Sequence, residues 1–471
     1  MRKTKIICTI GPASEDKETL RAMCLAGMNV ARLNFSHGSY ESHAKVIENI
    51  KEVREELGLP IAILLDTKGP EVRVKSFKDD GAQLDNGSLF MLTTRDIEGD
   101  ASGVSQTYPG LPHELKPGDS VFADDGHIVM TVEKTEGEDV YCRVVTGGYL
   151  RKNKGLNFPG TRLHLDFLSE KDKADLLFGI REDVDLVAAS FVSDKADMES
   201  IRSFLDENGG KDINIIAKIE NKLGLENLEE IMDIADAVMV ARGDLGVEIP
   251  YAEVPFHQKQ IIRHCNKRGK EVIIATEMLE SMTTDTRATR AEVSDVANGV
   301  YDSASALMLS GETANGSYPV EAVRVMADIA EYTEGVVRYK KNFQRAEFEA
   351  MNVMDSLSRA ACQIALDLDA KALGISSISG ITARMVSRFR CPVDIIGITS
   401  DTKAYYKLAL TWGVTPYLAG KRSTLETILD NGAVVAKRVL NLSPGDTVVL
   451  TGGRKAGVPG STDTIRVETI I

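Results

Sequence analysis

Lys218 and Glu220 stand two residues apart at the end of an apolar run, 213–217. In an extended strand that spacing puts both side chains on one face. The lysine supplies a fixed positive charge, and the carboxylate is an oxygen ligand for a hard cation. A second carboxylate, Asp244, lies in Ala241-Arg242-Gly243-Asp244-Leu245-Gly246, directly after the next apolar run. Two carboxylates completed by substrate oxygens and water suit Mg²⁺ or Mn²⁺, and Mg²⁺ in particular avoids all-protein cages. The competing reading is a buried Lys–Glu pair that closes a layer of side chains, although buried charge is costly without a purpose. Gly243 and Gly246 either let backbone N–H groups approach an anion or serve a tight turn that needs positive φ.

A second constellation joins Arg32-Leu33-Asn34-Phe35-Ser36-His37-Gly38 to Asp66-Thr67-Lys68-Gly69-Pro70-Glu71. Asn34, Ser36, Asp66 and Thr67 offer several oxygens with one full charge, which suits a large monovalent cation better than Mg²⁺. An Asx turn followed by a helix cap would use the same residue types. Arg32, Arg73 and Lys218 concentrate positive charge where a small phosphorylated substrate could sit.

These residues need elements that bring them together. Eight short apolar runs (5–10, 29–33, 61–65, 186–189, 213–217, 237–240, 272–275 and 306–309) each end on a polar or glycine-bearing segment. Short continuous runs rich in β-branched residues predict strands buried on both faces, as in a parallel sheet. Helix-period segments lie between most of them, giving repeated βα units. Eight units close into a TIM (β/α)8 barrel, whose active site gathers at the carboxyl ends of the strands, where the residues above stand.

The interval between the third and fourth runs is about 120 residues, against roughly 25–35 elsewhere. Within it the pattern alternates, predicting strands at 71–74, 89–93, 121–123, 128–132 and 140–145 and hence a small inserted all-β barrel. Leaving from the end of strand three, it could close over the mouth as a lid. Beyond a charged helical stretch near 339–349, helices are predicted at 354–368, 381–389, 402–412 and 424–439. Strands are predicted at 372–375, 393–399, 447–451 and 464–469, making an open α/β sheet. The expected domains are 1–70 with 167–343 (barrel), 71–166 (lid) and 344–471 (C-terminal α/β).

The net charge of −14 argues against nucleic acid or an anionic membrane as partner. No apolar stretch reaches membrane-spanning length, and Met1-Arg2-Lys3-Thr4-Lys5 runs straight into a strand, so neither a membrane span nor a signal peptide is expected. Six scattered cysteines without a CxxC pair fit free thiols in a reducing cytoplasm. His257 and His264 read as helix-surface residues, and Trp412 as a packing anchor.

In the C-terminal region, Ser376-Ser377-Ile378-Ser379-Gly380-Ile381-Thr382-Ala383-Arg384 joins a strand to a helix. Hydroxyls and free N–H groups at a helix start, with Arg384 one turn inside, make an anion site. Thr451-Gly452-Gly453-Arg454-Lys455-Ala456-Gly457 is a second glycine-rich, cationic loop. A serine-rich helix cap and a flexible turn would look the same.

Segments 28–38, 65–71, 217–221, 239–246 and 308–314, taken in order, resemble pyruvate kinase. The resemblance implies the three-part layout above and a reaction that moves the phosphoryl group of phosphoenolpyruvate to ADP, giving ATP and pyruvate in the last step of glycolysis. It implies that Lys218 stabilises the phosphoryl group, Glu220 and Asp244 hold Mg²⁺, and Arg32 grips the substrate phosphate. The Gly243 backbone, Asp244 and Thr276 would meet the rest of the substrate, and Thr276 and Ser310 would belong to the route that protonates the enolate. Asn34, Ser36, Asp66 and Thr67 would coordinate K⁺, and Glu71 is the variant associated with K⁺ dependence. Arg73, Lys154, Asn34 and His37 would contact the nucleotide. Ser376, Ser377, Ser379, Gly380, Thr382, Arg384 and Arg454 would clamp a phosphorylated allosteric activator. A homotetramer is implied, and no further phosphotransferase-like domain is expected after Ile471.

Three departures from the family pattern stand out: Glu277 in place of a common glutamine, Ala288 within the usual Arg-Pro-Thr-Arg, and Ser303-Ala304-Ser305 in place of Gly-x-Asp. They are expected behind the mouth and toward a subunit contact. Two rivals are a phosphometabolite-binding regulator without turnover, and a Mg²⁺-dependent barrel of the citrate-lyase or aldolase kind.

Overall fold

The computed structural model describes residues 1–346, 348–350, 352–420, 425–453 and 462–471. Eight parallel strands form a closed barrel: β1 (Lys5–Thr9), β2 (Val30–Asn34), β3 (Ala62–Asp66), β4 (Leu186–Ala189), β5 (Asn214–Ile219), β6 (Ala237–Ala241), β7 (Glu271–Ala275) and β8 (Ala306–Leu309). All eight coincide with the apolar runs. Each strand is buried on both faces, so period two separates an inner from an outer set rather than inside from solvent. Ile7, Val30, Leu64, Ile216, Met239 and Ile273 fill the barrel, while Ile6, Ala31, Ile63, Ile215, Val238 and Val272 pack under the helices.

The lid sheet has seven strands, in the order Val72–Arg73, Gly155–Asn157, Ser120–Ala123, Ile128–Glu136, Asp139–Thr146, Leu89–Thr93, Gly103–Ser105. Its two edges meet through a bridge between Val74 and Gln106 and the bond from Thr107 N–H to Arg73 O (3.0 Å). Gly81–Leu84 pairs separately with Gly148–Arg151. The five expected lid strands are present. The four unforeseen ones (Gly81–Leu84, Gly103–Ser105, Gly148–Arg151 and Gly155–Asn157) all begin on glycine, which reads as turn punctuation. Where the chain turns toward the lid, Gly69 has φ 73°, and a Cβ there would come within 2.8 Å of the Ser190 Cβ. Asp172, fully buried, accepts the Gly69 N–H (3.1 Å) and caps helix Glu170–Arg181 at Ser169, tying the departing chain to the returning one.

The C-terminal sheet orders its strands β11-β10-β9-β12-β13, with β9 (Ala372–Ser376), β10 (Asp394–Thr399), β11 (Val414–Leu418), β12 (Thr447–Gly453) and β13 (Thr462–Thr469). Only the last pair is antiparallel. Strand β11 was not expected because Pro416 interrupts it; it lies at an edge, where proline is tolerated. This domain seals the amino-terminal floor of the barrel, and its Ala409 and Leu410 join the inner core. Trp412 is buried at the junction, with the Arg390 guanidinium 5.0 Å from its ring, so it is the packing anchor expected. Arg390 donates to Ser303 O (2.9 Å), Ser305 Oγ (3.0 Å) and Asn266 Oδ1 (2.8 Å). Ser303-Ala304-Ser305, expected behind the mouth and toward a subunit contact, therefore meets the C-terminal domain of the same chain at the barrel floor.

The same junction buries Lys5, whose Nζ donates to Val414 O at 2.7 Å. Burial, reinforced by Arg2, pushes this ammonium down to about 7. In the unfolded chain the group stays protonated to the ordinary lysine value, so between pH 7 and 10 the unfolded state binds more protons. Stability should therefore rise with pH through that window, by at most about 1.4 kcal/mol per pH unit from this group. Chemical denaturation at pH 7 and 9 should show that slope reduced in Lys5→Met.

Candidate active site

The carboxyl ends of β2 to β8 bring the chemistry-bearing residues to one rim. Alternation along β5 places Lys218 and Glu220 on the same face, as expected, and both are buried. Lys218 Nζ lies 2.9 Å from Glu220 Oε1 and 3.2 Å from Asp66 Oδ1, and donates to Ser190 Oγ at 2.8 Å. Burial disfavours the ammonium, but the Asp66 and Glu220 charges outweigh it and hold Lys218 above its ordinary value. Arg32 donates through Nε to Asp66 Oδ2 (2.6 Å) and through NH1 to Thr9 Oγ1 (2.8 Å). Burial works against the charged form of Asp66, yet Arg32 and Lys218 keep its carboxyl below the usual range.

Glu220 is the counterpart. Burial raises its carboxyl against the pull of Lys218, and the neighbouring charge of Asp244 raises it further. Its Oε2 accepts the Phe191 N–H (2.5 Å), while Oε1, though close to Lys218 Nζ, has no aligned donor. Asp244 lies in the first turn of helix Arg242–Glu248 and lines a cleft of about 680 Å³ between barrel and lid. A buried carboxylate oxygen whose nearest cation, the Lys218 ammonium at 2.9 Å, is not aligned to donate, and which also feels the Asp244 charge, fits a divalent cation that would relieve the repulsion. Among the described residues no group of three or more acidic, His or Cys side chains could hold a metal, so further ligands would be substrate and water.

At the adjacent ends of β2 and β3, Asn34 pairs in register with Asp66. Asn34 Oδ1 accepts from Ser36 N (3.1 Å), Thr67 Oγ1 accepts from Ser190 N (3.2 Å), and Asp66 carries Arg32 and Lys218. These oxygens keep spare lone pairs, so the set fits a large monovalent ion. With Asp66 already offset by two cations, such an ion would draw its counter-charge from an anionic substrate.

On the far side, Thr276 (φ 71°) and Glu277 (φ 54°) both adopt left-handed backbone. That is uncommon, and costly for a β-branched residue. The strain sits here and not at Gly243 or Gly246, which lie inside a helix without positive φ; the tight-turn reading of those glycines is set aside. Arg242 donates through Nε to Ala275 O (3.2 Å) and through NH2 to Thr276 O, and pairs with Asp295 (2.7 Å). Gly243 N–H donates to Thr276 Oγ1 (2.9 Å). Ser310 N–H is held by Glu312 Oε2 (2.6 Å), and the Ser310 Oγ is buried without a partner.

The cleft is also lined by His37, Arg73 and Lys154. Arg73 Nε pairs with Glu71 (2.7 Å), Lys154 with Asp124 (2.5 Å), and the His37 carbonyl accepts from the His43 ring. Sequence reasoning missed Ser190, Thr9 and Arg242. Ser190 carried a signal, since it ends the fourth apolar run.

The proposed effector loop is less complete. Ser376 ends β9, Ser377 and Ser379 follow it, Gly380 has φ 79°, and Thr382 Oγ1 bonds Thr462 Oγ1 (2.7 Å). Arg384, expected to grip an anion with them, turns instead to the barrel floor, 3.6 Å from Asp236 and 3.8 Å from Glu271. It leaves the set because two carboxylates of the packed domain attract it. Arg454 lies outside the described residues.

Fold and rim together define a lidded (β/α)8-barrel enzyme working at a densely charged site. The family model described as "Pyruvate kinase, barrel domain" matches residues 1–323, and "Pyruvate kinase, alpha/beta domain" matches 355–468. The pyruvate kinase of Clostridium acetobutylicum is 43% identical over 472 residues, covering 100% of both chains. That of Geobacillus stearothermophilus is 45% identical over 473 residues, covering 100% of this chain and 80% of the relative. A solved pyruvate kinase from Cryptosporidium parvum superposes with a TM-score of 0.95 at 34% identity, covering 100% of this chain and 96% of that one. The chain belongs to the pyruvate kinase family of phosphotransferases. No helix among the described residues is long and apolar enough to cross a membrane.

Proposed function

We propose that the chain transfers the phosphoryl group of phosphoenolpyruvate to ADP, giving ATP and pyruvate, and depends on Mg²⁺ or Mn²⁺ and on K⁺. The observation that carries this reading is the Lys218 ammonium held among Asp66, Glu220 and Ser190 beside a buried carboxylate oxygen suited to a metal. Phosphoryl transfer needs positioning and charge neutralisation more than covalent chemistry. Lys218 and Arg32 would neutralise the moving group and the substrate phosphate. Glu220 and Asp244 would hold the divalent ion, which supplies Lewis-acid charge to the phosphoryl oxygens when bound. The Gly243 backbone and Thr276 would orient the substrate carboxylate. Ser310 Oγ and Thr276 Oγ1 would sit on the path by which the enolate gains its proton. Arg73 and Lys154, with Asn34 and His37, would meet the nucleotide as the lid excludes water.

A coupled assay with phosphoenolpyruvate, ADP, Mg²⁺ and K⁺ tests this directly; absence of pyruvate ends the proposal. Asn34, Ser36, Asp66 and Thr67 would bind K⁺ next to Glu71, whose carboxylate pairs with Arg73 and lies 3.7 Å from Lys68 Nζ. Glu71→Lys would place an ammonium near that site. The expected result is a gain of about tenfold in activity measured without K⁺, the rate equivalent of about 1.4 kcal/mol, with little change at saturating K⁺.

The hydroxyls of Ser376, Ser377, Ser379 and Thr382 with the Gly380 turn would bind a phosphorylated activator, supported by the buried, unpartnered Ser379 Oγ. A homotetramer working in the cytoplasm completes the reading.

A further inference from the structure

We infer that Ser190, at the end of β4, is a positioning residue for Lys218, aiming its ammonium through a relay anchored on Thr67; this rests on the phosphoryl-transfer reading above. An ammonium has three N–H donors and no acceptor. Three oxygens stand within reach of Lys218 Nζ: Ser190 Oγ at 2.8 Å, Glu220 Oε1 at 2.9 Å and Asp66 Oδ1 at 3.2 Å. The nearest is the uncharged one. Because Lys218 can only donate, Ser190 Oγ must accept from it and direct its single proton elsewhere. The best-placed acceptor is Thr67 O at 2.7 Å, ahead of Asp66 Oδ1 at 3.3 Å. The Ser190 N–H meanwhile donates to Thr67 Oγ1 at 3.2 Å. Two bonds to one residue thus lock the serine with a lone pair facing Lys218.

The other two anchors are shared. Asp66 also serves Arg32, and Glu220 Oε1 is the oxygen suited to a metal. Ser190 holds the ammonium without neutralising it, so the charge stays available to a phosphoryl group. The serine is 2% exposed, and Gly69 packs directly on its Cβ, which leaves no easy room for a water to replace the hydroxyl.

Steady-state kinetics of Ser190→Ala test the relay. Losing one preorganised hydrogen-bonding group at an active site costs about 10²–10³ in kcat, and a group acting at one remove should cost less, about 10- to 100-fold. Phosphoenolpyruvate KM, and its affinity measured calorimetrically without ADP, should shift by less than about threefold, because the lysine's charge remains. In the Lys218→Met background Ser190→Ala should slow the residual rate no further. Wild-type kcat in Ser190→Ala, or a full additive loss in the double variant, overturns the inference while leaving the assigned reaction standing. If the wild-type chain makes no pyruvate, the reaction itself falls. Should Ser190→Ala not fold, Ser190→Cys, with its weaker acceptor, carries the test: an intermediate kcat supports the relay and a wild-type kcat refutes it.

Discussion

Lys218→Ala should lower kcat for pyruvate formation by about a thousandfold or more, roughly 4 kcal/mol of transition-state stabilisation. Among the described residues the side chain is the one cation paired with both Glu220 and Asp66, and it is buried where charge acts at low effective dielectric. Removing it leaves Asp66 its Arg32 partner, so the fold should survive. Glu220 loses its only neighbouring cation among the described ion pairs and should rise further toward protonation. Affinity for phosphoenolpyruvate should fall much less than kcat, since Arg32 and the Thr276 side of the site are untouched. A rate within tenfold of wild type in a correctly folded variant would remove Lys218 from the chemistry.

Asp66→Ala should strike stability as well as rate. Its two oxygens receive Arg32 Nε and Lys218 Nζ, and its side chain is 1% exposed. Truncation leaves a guanidinium and an ammonium facing each other without their shared counter-ion. Breaking a buried pair in this way costs about 3–5 kcal/mol. Thermal unfolding should therefore shift clearly downward, and kcat should collapse because both cations lose their orientation. Asp66→Asn separates charge from shape: it keeps the volume but presents an amide to two donors. The native carboxyl is held below its ordinary value, so its contribution is complete above the unfolded carboxylate range and is lost as pH falls through the depressed native value. The stability gap between wild type and Asp66→Asn should thus close in acid. A gap that widens there would contradict the ion-pair assignment.

Much of this was legible because the barrel imposes a simple pattern. Parallel strands covered on both faces must be short and apolar, and their polar termini must lie at one rim. Lys218 and Glu220 could be paired from period two alone. Arg384 shows where such reasoning stops: helix periodicity put it one turn inside the hydroxyl loop but said nothing of Asp236 and Glu271 on the packed barrel floor. The Arg390 contact with Ser303-Ala304-Ser305 went unforeseen for the same reason, since nothing local indicates that this arginine arrives from a domain more than eighty residues later. The left-handed backbone at Thr276 and Glu277 had no sequence signal either, because neither residue type favours it.

The chain by itself determined the order of its elements, the inserted lid and the identity of most charges at the rim, because local periodicity and turn chemistry act over a few residues. The three-dimensional fold alone decided which of those charges share a carboxylate or a hydroxyl. Lys218, Asp66 and Arg32 come from three strands and Ser190 directly follows a fourth, and contacts across such separations depend on barrel closure, which no local pattern encodes.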